Sequence, residues 1–230
     1  MGRNPGLTMR YSILTPTLVR PTLKRLCDSI DGQSSPDWEH IVIVDCDPST
    51  EQAVILESIK HPQRRIMRTS ESHPMDYGNT ARREGFDIAQ GDYILQIDDD
   101  DWYADDKVFE TLNRVTKTWA AFPVLAYGKR CHRKPPALYL TGSAMFMYRR
   151  DTGCKFPDNA DYSADGQLVE ELKSKFEYET LDDCRELVIY PQANHGRTQA
   201  EIDTWRPKTR TMKYAADGLT VDWHDMFQRG

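Results

Sequence analysis

The chain has 230 residues, of which 39% are hydrophobic and 10% aromatic, and its 36 acidic residues outnumber 30 lysines and arginines to give a formal net charge of -6. This composition suits one sizeable folded core and argues against wholesale disorder. The negative charge argues against a general nucleic-acid-binding protein, which would carry a basic face. We therefore expect no nucleic-acid partner.

The cysteines and the apolar segments indicate where the chain works. The five cysteines are Cys27, Cys46, Cys131, Cys154 and Cys184. Their number is odd and no Cys-x-x-Cys pair occurs, so neither a zinc site nor a disulfide framework is indicated. No apolar run approaches the roughly 18 residues of a membrane span, and no signal peptide is visible. We expect a cytoplasmic location and no membrane span.

The first half of the chain alternates predicted strands with predicted helices. The strands are predicted at residues 11–15, 40–44, 65–68 and 93–97, and the helices at residues 21–30, 50–59, 79–89 and 105–117. Asn79 is placed to cap its helix, and Gly91 to end it. This order predicts an α/β fold: a Rossmann-like, mostly parallel sheet flanked by helices and joined by right-handed crossovers.

After residue 122 the pattern changes. Short apolar runs at residues 124–127, 138–140 and 144–148 are separated by prolines and basic residues, which indicates a smaller mixed or antiparallel region. A helix is predicted at 167–175 and a strand at 187–190, and the segment from 198 onwards is polar. We predict a single domain over residues 1–230, with a tail of unknown role at 198–230.

Acidic residues follow two of the predicted parallel strands. Asp45 follows the strand at 40–44, and four consecutive aspartates, Asp98 to Asp101, follow the strand at 93–97. Because parallel strands present their carboxyl ends at one edge of a sheet, Asp45 and Asp98 are expected to face the same crevice. Adjacent buried carboxylates are costly without a cation, and carboxylate oxygens suit Mg²⁺ or Mn²⁺. The alternative is a solvated acidic turn that caps the next helix.

Several motifs, in their order along the chain, resemble those of family-2 glycosyltransferases. They are Thr15-Pro16-Thr17, Ile43-Val44-Asp45, Asn79-Thr80-Ala81-Arg82, the run 89–94 and the run 97–102. The resemblance covers roughly residues 11–197 and is most specific between 79 and 102. It implies a GT-A-type fold with a nucleotide-sugar-binding half at about 11–122 and an acceptor-side half at about 123–197.

The resemblance also implies an activity and a set of site residues. It implies a metal-dependent, inverting enzyme that moves a sugar from a nucleotide-diphosphate donor, most simply a UDP-sugar, to a saccharide or other hydroxyl acceptor. Residues implied to bind the nucleotide sugar are Thr15, Thr17, Asp45, Arg82, Asp98 and Asp99. Those implied to bind Mn²⁺ or Mg²⁺ are Asp100 and His195, and the implied catalytic base is Asp165. Two departures stand out, since Cys46 replaces an acid after Asp45 and Ala164 replaces the glutamate before Asp165.

Each of these residues also has a structural interpretation. Asp45 could cap a strand end, Arg82 could pair with Glu84 or Asp87 on its own helix, and Asp165 could cap the helix that follows it. Trp102 is expected to serve in packing, and the alternative is that it lines the sugar site.

Two other functions remain open. One is a nucleotidyltransferase with the same core, although the segment after the first strand, 16–20, lacks the glycines that hold a triphosphate. The other is a non-catalytic module that binds a nucleotide sugar or a metal. An EF-hand is excluded, because Trp102 and Tyr103 break a calcium loop starting at Asp98, and Thr50 breaks one starting at Asp45.

Overall fold

A seven-stranded, mostly parallel sheet forms the centre of the chain. The structure is a computed structural model that describes residues 10–73, 76–126, 129–132, 136, 141–158 and 163–190. Its strands are β1 (Tyr11–Thr17), β2 (Trp38–Val44), β3 (Arg64–Arg68), β4 (Tyr93–Gln96), β5 (Trp102–Tyr103), β6 (Trp119–Ala121), β7 (Val124–Ala126), β8 (Lys129–Cys131), β9 (Phe146–Arg149), β10 (Tyr178–Thr180) and β11 (Val188–Tyr190). Its α-helices are α1 (Leu23–Asp31), α2 (Thr50–Ser58), α3 (Asn79–Ile88), α4 (Val108–Leu112) and α5 (Ala164–Lys175).

The strand order confirms the predicted fold class. The large sheet runs β10-β6-β9-β4-β1-β2-β3, and β9 is antiparallel to both of its neighbours whereas the other pairs are parallel. A second sheet runs β5-β11-β7-β8 and mixes both directions. Except for β5, the strands of the second sheet follow residue 122, and together with β9 they form the mixed region that the sequence predicts there. All described residues belong to one compact unit, which extends to residue 191.

Helices cover both faces of the large sheet because its strands are apolar on both sides. Ile13 of β1 belongs to a core that includes residues of α1 and α4, whereas the next residue, Leu14, belongs to a core that includes residues of α3 and α5. This alternation follows from the two-residue period of a strand. All seven residues of β2 are buried, as the continuous apolar run predicts.

Two glycines allow close packing against the central strands. Gly85 lies near the carboxyl end of β2, and Gly91 lies near the amino end of β1. A Cβ atom at Gly85 of α3 would lie 2.9 Å from Ile43 Cδ1, so the absence of a side chain lets α3 pack directly on β2. A Cβ atom at Gly91 would lie 2.6 Å from the amide nitrogen of Ser12. Gly91 therefore seats the turn before β4 against β1, and fixes where β4 begins.

The helix predicted at 105–117 is wrong in its extent, because α4 covers only Val108–Leu112. Its start is delayed by Asp105, whose carboxylate accepts the amide of Lys107 at 2.6 Å in an Asx turn. Beyond its end, the amides of Thr116 and Lys117 donate to the Glu179 carboxylate at 2.6 and 2.8 Å. A distant side chain therefore takes the donors that a longer helix would use.

Asn79 was predicted to cap α3, and this is also wrong. Asn79 is the first residue of the helix, and the capping position is Gly78, whose φ is 77°. The carboxylate of Asp76 supplies the acceptors instead, taking the amides of Gly78 at 2.9 Å and Thr80 at 2.8 Å. An acid at a helix start also favours the helix dipole.

Other boundaries differ less. Helix α5 begins three residues before the predicted position, and Ser143–Met145 form a 3₁₀ turn before β9. The strands β5, β6, β8 and β10 were not predicted, because two or three residues carry too little periodic pattern. The predicted run at 138–140 and the tail at 198–230 lie outside the described residues.

Within the described ranges, no helix has the length and apolar character that a bilayer crossing demands. The longest, α5, has 12 residues, whereas a span needs about 20.

Candidate active site at the carboxyl ends of the central strands

The carboxyl ends of β1, β2 and β4 bring the predicted acids to one edge of the sheet. Thr17 and Val44 are partners in the parallel register of β1 and β2, and the amide of Asp45 donates to the carbonyl of Thr17 at 2.9 Å. On the other side of β1, the amide of Ile97 donates to the carbonyl of Leu14 at 3.1 Å. Asp45 and the aspartate run therefore lie at the same edge of the sheet, as the sequence predicts.

Arg82 is directed into this edge from α3. Its side chain is 5% exposed, and its guanidinium pairs with Asp98 and donates to the carbonyl of Tyr77 at 2.7 Å. The alternative pairing within the helix does not occur, since Glu84 instead accepts from Ser70, and Asp87 pairs with Lys155. Arg82 thus compensates the first charge of the aspartate run.

Arg20, in the loop after β1, compensates the charges of the next two aspartates, Asp99 and Asp100. Its Nε donates to Asp99 Oδ1 at 2.7 Å, and its Nη1 to Asp100 Oδ2 at 2.8 Å. The hydroxyl of Thr17 donates to the other oxygen of Asp99. Burial raises the pKa of Asp99, whereas the Arg20 charge and these hydrogen bonds oppose that rise.

Asp101 differs from the other three aspartates. It is 1% exposed, and neither of its carboxylate oxygens has a hydrogen-bond partner among the described residues. One oxygen from each of Asp98, Asp100 and Asp101 lies within 4.8 Å of the others. Burial, and after it the charges of Asp98 and Asp100, raise the pKa of Asp101 well above its usual value. A converging set of carboxylate oxygens, one of them buried without a partner, fits a hard divalent cation such as Mg²⁺ or Mn²⁺.

Asp45 is held in a fixed orientation at the end of β2. It is 4% exposed, and its Oδ1 accepts the Thr69 hydroxyl at 3.0 Å and the His73 amide at 2.8 Å. The Ser72 hydroxyl donates to its carbonyl at 3.0 Å. The loop that follows β3 is thereby folded around this carboxylate.

Asp165 lies in the first turn of α5 and is partly buried. Its Oδ1 accepts the amide of Gly166 at 2.7 Å. Burial raises its pKa to about 6, the Gly166 amide and the Arg82 charge lower it, and the Asp98 charge raises it. These electrostatic partners connect Asp165 to the aspartate run. The position before α5 belongs to Ser163, so Asp165 is not the helix cap.

Among the described residues, Thr15 is the predicted site residue that belongs to a different cluster. Thr15 is fully buried, and its hydroxyl lies 3.0 Å from Nε2 of His40. Nδ1 of His40 accepts from Arg64 at 2.8 Å, and burial lowers the pKa of His40 well below its usual value. Thr15 therefore belongs to a buried network between β1, β2 and β3. His195 lies outside the described residues.

Backbone strain at this edge falls on the two segments that hold the arginines. Val19 and Tyr77 both have φ of 57°, in the left-handed region that side chains other than those of Gly, Asn and Asp rarely adopt. The amide of Val19 donates to Thr17 Oγ1 at 2.7 Å immediately before Arg20, and the carbonyl of Tyr77 receives Arg82. Such strain persists where the surrounding contacts determine the conformation.

The sequence did not assign roles to Arg20, Asp101 or Asp76. One sequence signal could have identified Arg20. It is a basic residue shortly after one predicted parallel strand, and another predicted strand of the same sheet ends in acids, so the two can meet at one edge. Asp101 lies within the predicted run, but its isolation from arginine cannot be read from the chain.

Comparison with known proteins agrees with this geometry. The family model described as "Glycosyl transferase family 2" matches residues 12–176. The putative teichuronic acid biosynthesis glycosyltransferase TuaG of Bacillus subtilis (strain 168) is 26% identical over 118 residues, which cover 50% of this chain and 46% of TuaG. This chain thus matches about half the length of that relative.

Solved structures share the fold at low sequence identity. S. aureus TarS 1-349 has a TM-score of 0.65 at 15% identity, covering 79% of this chain and 60% of TarS, and a complex of the same protein with UDP-GlcNAc scores 0.64 at 16% identity, covering 81% and 60%. The mannosyltransferase PcManGT from Pyrobaculum calidifontis, in complex with GDP-Man and Mn²⁺, scores 0.63 at 15% identity, covering 89% and 62%. These matches show the architecture that the described strands and helices build.

Proposed function

This chain belongs to glycosyl transferase family 2, whose model matches most of its length, and from that premise we propose that it transfers a sugar from a nucleotide-diphosphate donor to an acceptor hydroxyl with inversion at the anomeric carbon. One observation carries the proposal. A buried aspartate run compensated by two arginines lies within electrostatic reach of a separate carboxylate, Asp165, whose pKa burial raises to about 6.

The donor side is assigned to the ends of β1, β2 and β4. Asp45 is a buried carboxylate whose orientation is fixed by two donors, and such a group suits an N–H of the nucleotide base. Asp98 and Asp99, oriented by Arg82 and by Arg20 with Thr17, are assigned to the ribose and sugar hydroxyls. We propose a UDP-sugar as donor. Two structural neighbours were solved with UDP-GlcNAc and with GDP-Man.

The metal site is assigned to the same run. Asp100 and its neighbouring carboxylates offer the oxygen ligands that Mg²⁺ and Mn²⁺ prefer. A bound divalent cation would offset the negative charge that builds on the departing nucleoside diphosphate. His195 stays a predicted ligand, outside the described residues.

Asp165 is proposed as the general base. Its carboxylate accepts the proton of the acceptor hydroxyl, whose oxygen forms the new bond to the anomeric carbon. The bond from that carbon to the diphosphate oxygen breaks, and the nucleoside diphosphate leaves with the electron pair. Single inversion requires the base on the face opposite the leaving group. Because Ala164 stands where the family pattern has an acid, Asp165 performs this role alone.

The test is a panel of nucleotide sugars assayed for thermal stabilisation, with and without Mn²⁺, followed by transfer assays with the donor that stabilises most. A ligand that binds only the folded chain raises the unfolding midpoint, and at 100 times its Kd the gain is about 2.7 kcal/mol. Asp183→Asn is the control variant and should be stabilised by the donor as the wild type is, because Asp183 pairs with Arg114 at the surface. If no nucleotide sugar raised the midpoint under either condition, the proposal would be wrong.

Ala164 favours one second candidate, a module that binds a donor without turning it over. A chain of this kind would show donor stabilisation in the same panel but neither transfer nor slow donor hydrolysis with Mn²⁺. Product formation in either assay excludes it.

A further inference from the structure

Two arginines compensate most of the aspartate run, and they do so unequally. Asp98 pairs with Arg82, whereas Asp99 and Asp100 share Arg20. Four carboxylates therefore meet two guanidinium groups, and the pairing leaves Asp101 as the member that no cation of the described chain contacts.

Burying the carboxyl group of Asp101 without hydrogen-bond partners is energetically costly. An ionised carboxylate removed from water needs a counter-charge or donors, and each buried polar atom left unsatisfied costs about 1–3 kcal/mol. Asp101 is 1% exposed and both of its oxygens lack a partner. Its amide closes a turn to the carbonyl of Asp98 at 3.1 Å, so the backbone has a structural role, but the carboxylate caps nothing.

The carboxylate of Asp101 is directed at its neighbours. One of its oxygens lies within 4.8 Å of oxygens of both Asp98 and Asp100, which is the separation that ligands of a single cation have. A fold that needed Asp101 only for packing would serve as well with asparagine, which has nearly the same shape and no charge.

We propose that Asp101 is a direct ligand of the divalent cation, paired with Asp100, and that Asp98 is retained by Arg82 for the donor. The aspartate run thus divides in two. Its first half, Asp98 and Asp99, is arginine-compensated and faces the nucleotide sugar, and its second half, Asp100 and Asp101, holds the metal. The inference deepens the proposed function and rests on it for the identity of the ligand that shares the metal.

The experiment measures Mn²⁺ binding to the full chain by the loss of the free Mn²⁺ signal in electron paramagnetic resonance, with and without UDP. Asp101→Asn is compared with the matched change Glu39→Gln, which neutralises a similarly buried carboxylate near the amino end of β2 that is bonded to Ser12, Arg65 and the Gln90 amide. The unfolding midpoint of each metal-free variant is recorded alongside.

We expect Asp101→Asn to weaken Mn²⁺ binding at least about tenfold, because even residues behind a metal ligand contribute that much. Its metal-free midpoint should equal or exceed that of the wild type, since neither side-chain oxygen of Asp101 has a hydrogen bond within the described chain to lose. Glu39→Gln should do the reverse, with a lower midpoint and an Mn²⁺ affinity within about threefold of the wild type, as it weakens an ion pair at the other end of the strands from the aspartate run.

The proposal is overturned if Asp101→Asn binds Mn²⁺ as the wild type does, or if it loses stability without losing metal. Should Asp101→Asn fail to fold, Asp101→Ser is measured in its place, and wild-type affinity there overturns the proposal equally. A wild-type chain that binds no Mn²⁺ but is stabilised by a nucleotide sugar would refute the metal assignment and leave the proposed transfer standing. If Mn²⁺ binding depended on Asp101 but no nucleotide sugar stabilised the chain, the metal assignment would stand and the proposed transfer would be refuted.

Discussion

The donor side and the acceptor side of the proposed site hold the same side chain, aspartate, with different partners. On the donor side, Asp98 and Asp99 are fixed by guanidinium groups and a hydroxyl, which favour the ionised form. On the acceptor side, the bond from the Gly166 amide and the more distant Arg82 charge do not outweigh burial, and the pKa of Asp165 rises to about 6. One environment supplies guanidinium groups against the effect of burial and the other a backbone amide, so partners rather than residue type distinguish the two proposed roles.

The largest effect is expected from removing the acceptor-side carboxylate. Asp165→Asn should lower the rate of transfer by about two to four orders of magnitude, because a positioned general base contributes that much. Stabilisation by the donor should persist. Asp158→Asn, an exposed acid just before the same helix, is the control and should transfer normally. Equal losses of donor affinity and turnover would place Asp165 in binding instead.

Arg82→Met removes the compensation on the donor side. Breaking a buried ion pair costs about 3–5 kcal/mol, but Asp98 is 38% exposed, so we expect a loss of about 1–3 kcal/mol in the free energy of unfolding. Urea denaturation measures it, and donor stabilisation should disappear. Arg83→Met, the next residue of α3, is the matched control and should cost about 1 kcal/mol or less. Equal costs for both variants would contradict a special role for Arg82.

The pH profile of transfer should report the acceptor-side carboxyl. Asp165 acts only when ionised, so the rate should fall about tenfold for each unit of pH below its pKa of about 6. Donor stabilisation should change less over the same range, because Asp98 and Asp99 keep their guanidinium partners there. A transfer rate that stayed flat between pH 5 and 7 would rule out this assignment.

The same group has a predictable effect on folding. Its pKa is higher in the folded chain than its ordinary value of 3.8, so the folded state holds the proton more tightly. Its contribution to stability is therefore present below about pH 4 and is lost as the pH rises through about 6. Comparing the wild type with Asp165→Asn in urea across this range isolates that contribution.

The smallest effect tests the space around the base. A methyl group at Gly142 would lie 2.9 Å from Tyr190 Oη and 3.8 Å from Asp165 Oδ2. Gly142→Ala should reduce transfer several-fold, up to about tenfold, because small displacements of reacting groups are costly. Donor stabilisation should not change. Gly32→Ala is the control and should transfer normally. Its new carbon would lie 3.3 Å from the Asp28 carbonyl, far along the chain from Gly142 and Asp165.

Much of the donor side could be predicted from the sequence, because it depends on local pattern and one topological rule. Apolar runs that end in Asp45 and Asp98 identify two parallel strands, and parallel strands share an edge. The neighbourhood of Asp165 was inferred from the resemblance alone.

The rest depends on contacts that sequence does not encode locally. Arg20 meets Asp99 across 79 positions, and Glu179 ends the α4 region from more than 60 positions away. Which of four adjacent aspartates receives an arginine is decided by the direction of each side chain at the strand end, and that direction follows from the turn between Asp98 and Asp101.

The left-handed backbone conformation at Tyr77 has a consequence for the selection of variants with higher thermal stability. Its ring is 50% exposed, so glycine or asparagine there would relieve a conformation that costs a tyrosine about 1 kcal/mol or more, at little expense to the core. A screen for thermal tolerance alone should therefore return such substitutions. Such variants would hold the carbonyl of residue 77, and with it the Arg82 guanidinium, less rigidly. If Arg82 binds the donor as proposed, we expect them to combine a higher unfolding midpoint with weaker donor binding.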